Sequence, residues 1–97
     1  MRAEPEVAAL VRLLCRYWRA NPLACDTPDG ITRWWLPMHQ AVALADVQTA
    51  LWLLEARRLV ERVVGRDGRV HFRLCADIAA DPGVLDAHAD APSGSVQ

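Results

Sequence analysis

The 97 residues suit one domain, since about 100–150 residues is the commonest domain size. A hydrophobic fraction of 53% with 24% charged residues is ordinary globular composition, and no apolar run approaches the roughly 18–20 residues that span a bilayer. The opening "MRAEPEVAALVRLLCRYW" sets acids and a proline ahead of its apolar part, unlike a signal peptide, so a cytoplasmic protein of bacterial type is expected.

The net charge of −1 is unevenly spread. All eleven basic residues are arginine and lie at or before Arg73, whereas the residues beyond Cys75 carry four aspartates and no arginine. Between Arg57 and Arg73 six arginines face only Glu61 and Asp67. The three cysteines, Cys15, Cys25 and Cys75, show no CxxC or other zinc spacing. Reduced packing thiols are expected, with no disulfide framework and no metal site. His71 and Cys75 share a strand face but lack the further ligands a metal needs. No GxSxG, HExxH, phosphate-binding glycine loop or buried carboxylate pair appears, so no catalytic site and no cofactor are expected.

In chain order, Val7, Leu10, Val11, Leu14 and Trp18 recur at steps of three and four and predict a helix over residues 4–20. Pro22 pushes the residue before it out of the α region and ends that helix. In "CDTPDGITRWWLP", Thr27 is an N-cap with Pro28 at the first helical position, predicting a short helix over 28–36 that Pro37 stops. Trp34 and Trp35 cannot both point inward on one narrow helix. A linker, "MHQAVAL", leads to a helix over 45–57 whose buried stripe is Val47, Leu51 and Leu54.

"LVERVVGRDGRVHFRL" reads as a hairpin, because Asp67 and Gly68 both tolerate the positive φ of a tight turn. Its strands are 60–64 and the alternating Val70, Phe72 and Leu74. A two-residue turn and a three-residue turn with a glycine bulge both fit. From Ala76 the composition turns to Ala, Asp, Gly, Pro and Ser, which predicts a flexible acidic tail over 76–97, with room for a weak helical turn or two in "DPGVLDAHAD". That tail can fold over the arginine-rich hairpin and compete with phosphate.

This order, with "ALADVQTALWLLEARRLVERVVGRDGRVHFRL" as its strongest part, resembles the winged helix-turn-helix domain of bacterial transcription regulators. "DTPDGITRWWL" looks like the shorter helix ahead of the recognition helix. The resemblance covers roughly residues 5–75. It implies an α+β winged helix, three helices followed by a two-stranded β-hairpin wing, as one domain over 1–75. It further implies duplex DNA as partner, with Gln48 and Thr49 at base edges and Arg57, Arg58, Arg62, Arg66, Arg69 and Arg73 on phosphates. A lone domain of this size covers little duplex, so a homodimer is expected.

The outward face of the third helix departs from that pattern. It carries Asp46 at its start and then Trp52 and Leu53, where basic or polar residues would read DNA. One reading buries the pair in a wider core, against the first helix or the tail, and another stacks them on unpaired bases. Exposed together, they form the patch of a protein-interaction module, and Trp is enriched at such hot spots. A protein partner, met by Trp52, Leu53 and Trp34, is therefore the alternative to duplex DNA. Arg58 stands where such domains commonly place the glycine that ends the helix, and a slightly longer helix is expected to absorb it.

Overall fold

The structure is a computed structural model and describes residues 7–36 and 42–89. It is α+β: helices pack with a three-stranded antiparallel sheet of order β1-β3-β2. Helix α1, Val7–Ala20, buries the predicted stripe of Leu10, Val11, Leu14 and Trp18, with Cys15 beside them. The Trp18 indole N–H donates to the Ala24 carbonyl at 3.0 Å. That bond ties the turn after the helix back to the core and delivers the chain to strand β1, Cys25–Asp26.

Helix α2, Pro28–Gly30, starts as expected. Thr27 is in the extended region and its hydroxyl accepts from the Gly30 N–H at 3.1 Å. The next residues, Ile31–Trp35, widen into a π-type turn. A side chain at Gly30 would meet the Asp26 carboxylate, which would have to move aside. Ile31 reaches the core from this segment.

Helix α3, Leu44–Ala56, buries Val47, Ala50, Leu51 and Leu54. Its end corrects the expectation of a longer helix. Arg58 adopts φ +62°, and the Leu59 and Arg58 N–H groups donate to the carbonyls of Leu54 and Glu55 at 3.0 and 2.9 Å. This is the Schellman arrangement with arginine in the left-handed position that glycine ordinarily fills. It is retained because it points Leu59 and Val60 into the core, where both are buried. A Cβ in that conformation costs about 1–2 kcal/mol, partly offset by the extra freedom glycine brings to the unfolded chain. Arg58→Gly is therefore expected to raise stability by about 0.5–1 kcal/mol, measurable as a higher thermal midpoint; a lower midpoint would mean the arginine side chain stabilises the native state.

Strands β2, Val60–Val64, and β3, Val70–Leu74, pair from Val60↔Leu74 to Val64↔Val70 without interruption. The three-residue turn is the one adopted: the Gly68 N–H donates to the Gly65 carbonyl at 3.0 Å and Gly68 has φ +80°. Strand β1 adds to the other side of β3, Cys25 opposite Arg73 and Asp26 opposite Phe72.

Residues 76–89 differ from the flexible tail expected of them. They form helix α4, Ala76–Ala80, a 3₁₀ turn, Pro82–Leu85, and helix α5, Asp86–Ala89. Leu85 is 1% exposed and belongs to the same core as Leu10, Leu14 and Trp18. Asp86 accepts from Arg19 of α1 at 3.0 Å. The 3₁₀ turn and α5 thus pack on α1, while α4 borders Glu61 and Arg73 at the base of the hairpin. The expected tail beyond Ala89 lies outside the described residues, as do the proline stop at residue 37 and most of the linker. Among the described residues no helix is long and apolar enough to cross a membrane.

Candidate interaction site

Successive residues on a helix point about 100° apart, and that separates the two apolar side chains of α3. Leu44, Gln48 and Trp52, spaced by four, form one stripe facing the hairpin. Leu44 and Gln48 line one end of a hollow with Thr27, Pro28, Arg69 and Val70. Gln48 and Trp52 line the other with Pro28, Arg62, Val70 and Phe72. Leu53 points elsewhere, into a shallow groove with Val7, Val11, Arg12, Arg57 and His88. The single patch expected around Trp52 and Leu53 is thus two surfaces, one on each flank of the helix.

Trp52 is 58% exposed at the rim of its hollow. Leu44, Val64 and Val70 extend the apolar surface along the same side, since Val64 and Val70 are cross-strand partners. Trp34 is 75% exposed, whereas its neighbour Trp35 is held inward, stacked on Tyr17 at 4.3 Å and edge-on to Trp18 at 4.8 Å. Trp34 lines neither end of the Trp52 hollow.

The arginines divide by what holds them. Arg62 sits on the core-facing side of β2, over the Phe72 ring at 5.5 Å, and its guanidinium makes two hydrogen bonds of 2.8 Å to the Glu55 carboxylate of α3. Arg73 donates to Glu61 across the hairpin at 2.9 Å. Arg69 has Asp67 at a loose 3.9 Å. Arg57, Arg58 and Arg66 have no acidic partner among the described residues. Arg57 and Arg58 lie at the base of the hairpin and Arg66 at its tip. Five strand residues, about 17 Å, separate those ends, so the free cations do not make one patch. Thr49 is exposed, but its hydroxyl donates to the Ala45 carbonyl at 3.1 Å.

The bond from Arg62 holds the Glu55 carboxyl below its ordinary value. A carboxyl lowered on folding stabilises the native state above its unfolded value, here 4.5, and loses that contribution as pH falls through the folded one. Arg62→Ala is accordingly expected to lower the thermal midpoint by a few degrees at pH 7 and by progressively less as pH falls below 4.5. An equal deficit across that range would assign the loss to the Phe72 contact instead.

Burial pushes the Cys15 thiol up to about 11, and also raises Cys25 and Cys75, so none is an activated nucleophile. Among the described residues no three His, Cys, Asp or Glu side chains gather to hold a metal ion. The sequence pointed to Trp52 and Gln48 but not to Pro28, Leu44, Val70 and Phe72 around them. The 44-48-52 spacing was the available signal for Leu44.

Compared with family models, curated proteins and solved structures, the chain matches none.

Proposed function

We infer that this chain is a winged-helix-type interaction module that docks a protein segment in the hollow between α3 and the hairpin. The observation that carries this reading is Trp52, a large ring left 58% exposed beside an apolar floor of Pro28, Val70 and Phe72. Trp is favoured as an anchor because it buries much area while losing few rotamers. Gln48 and Arg69 supply polar donors at the rim, so the chemistry fits a partner with an apolar side chain next to a carboxylate.

The hairpin cations give the reading further support. Arg62 and Arg73 are already paired with Glu55 and Glu61 within the chain, and the remaining arginines are split between the two ends of the hairpin, so they do not gather on one phosphate-facing surface. Panning a random peptide-display library against the full chain tests the reading directly. Enriched peptides are expected to combine an apolar residue with an acidic neighbour, and to lose at least tenfold in affinity for Trp52→Ala, roughly 1.4 kcal/mol or more. Peptides that bind both proteins equally would sink it.

A second reading, duplex DNA binding as a transcription regulator, keeps one favourable observation. Arg66 is exposed at the hairpin tip, near Arg69, with no acid bound to it among the described residues. In that reading Gln48 reads a base edge and the tip contacts phosphate. Titration with random duplex at low and moderate salt separates the two readings. DNA binding predicts affinity that falls steeply with salt, and a weaker, flatter dependence for the Arg66→Ala/Arg69→Ala double variant. The interaction reading predicts no duplex binding at moderate salt.

A further inference from the structure

Strand β2 is the outer strand of the sheet, with β3 as its one neighbour. Hydrogen bonds at both ends fix which of its backbone groups face that neighbour. The Gly65 N–H donates to the Arg69 carbonyl at 2.8 Å, and the Cys75 N–H to the Leu59 carbonyl at 3.0 Å. In that phase Glu61 and Val63 turn their N–H and C=O groups towards β3. Arg62 and Val64 turn theirs outward. Among the described residues nothing hydrogen-bonds to those outward groups.

Proteins usually guard an outer strand with a proline, a bulge or a projecting charge. β2 has no proline and its register with β3 is unbroken. Its two charges are both drawn away, Glu61 to Arg73 at 2.9 Å and Arg62 to Glu55 at 2.8 Å. Val63 is left half-buried, and Val64 is 68% exposed.

We propose that β2 pairs antiparallel with β2 of a second copy, about a twofold axis through Val63, joining the two three-stranded sheets into one. Any extended segment would satisfy the open backbone groups, but β2 also matches its own side chains. With Val63 opposite the second copy's Val63, each Arg62 lies opposite a Val64, and the outward N–H and C=O groups of both residues are satisfied on both copies. The two Val63 side chains meet in a non-hydrogen-bonded pair, where Cα atoms approach to about 4.5 Å. No like charges stand opposite each other. An axis through Arg62 would set two guanidinium groups face to face, which is unfavourable.

Arg62 and Val64 border both this seam and the Trp52 hollow, whereas Val63 lines only the seam, so substitutions at Val63 and Trp52 separate the two. One strand pair buries less than the roughly 1,200–2,000 Å² of a standard stable interface, so association is weak and concentration-dependent. Sedimentation velocity on the full chain across about a hundredfold concentration range is expected to show a monomer–dimer equilibrium. Val64→Pro removes an outward N–H that β3 does not use, and is expected to weaken association at least tenfold, about 1.4 kcal/mol. A chain that stays monomeric throughout, or a folded Val64→Pro that dimerises as the parent does, overturns the proposal.

If Val64→Pro does not fold, a charge swap at Val63 takes its place. Val63→Arg and Val63→Glu are each expected to be monomeric alone and to form a heterodimer when mixed. Failure of the mixture to associate, with both variants folded, overturns it. So does a dimer that survives the β2 substitutions but is lost in Trp52→Ala, which would move the seam to the α3 hollow.

Discussion

Leu85→Ala is expected to lower the unfolding free energy by about 3 kcal/mol, within the roughly 2–5 kcal/mol range for leucine truncations in packed cores. Leu85 is 1% exposed and shares one core with Leu10, Leu14 and Trp18 of α1. Removing its isobutyl group leaves a void between the 3₁₀ turn and α1 that short, turn-rich neighbours cannot close without losing their own contacts. For a domain of this size 1 kcal/mol corresponds to about 4–8 °C, so thermal unfolding followed by circular dichroism should show a drop of at least 10 °C by the same relation. A chain ending at Cys75 should fall further, because it also loses the Arg19–Asp86 pair and uncovers one side of α1. A midpoint unmoved by Leu85→Ala would mean that residues 76–89 do not stabilise the domain.

Trp18→Ala is expected to cost about 3–5 kcal/mol and to leave the chain at the edge of stability, given the roughly 5–15 kcal/mol available to a domain. The indole is 1% exposed, edge-on to Trp35, and bonded to the Ala24 carbonyl. Trp18→Phe isolates the last of these contributions. It keeps an aromatic ring in the core but leaves the Ala24 carbonyl without its partner, at about 1 kcal/mol. Chemical denaturation of both variants should therefore give a large and a small loss. Near-equal losses would mean that anchoring the turn, more than filling the core, is what Trp18 contributes.

The parts of the fold that could be read from sequence are those with a repeating signal. α1 and the buried stripe of α3 follow from apolar spacing, and the hairpin from Asp67-Gly68 with the alternation after it. Strand β1 has two residues, too short for any alternation, and is defined by its pairing with β3. Leu85 was obscured because one large apolar side chain among alanines and aspartates carries no period; its burial depends on the path of the chain. Arg58 follows the same logic, since tertiary packing of Leu59 and Val60 imposes a backbone conformation that arginine does not favour. At the candidate site the sequence singles out Trp52, but adjacency along the chain does not show that Trp52 and Leu53 lie on opposite flanks of α3. Which arginines were free could not be read, because the pairing of Arg62 with Glu55 depends on how α3 crosses the sheet.

That crossing has a kinetic consequence. The Glu55–Arg62 bonds, with the guanidinium resting on Phe72, tie the helix to the hairpin and so link the wall of the hollow to its floor. A partner seated against Trp52 would not have to wait for the hairpin to swing or spend interaction energy ordering it. Association would then proceed at the ordinary orientation-limited rate, and substitutions along the hollow would act on how long the complex lasts.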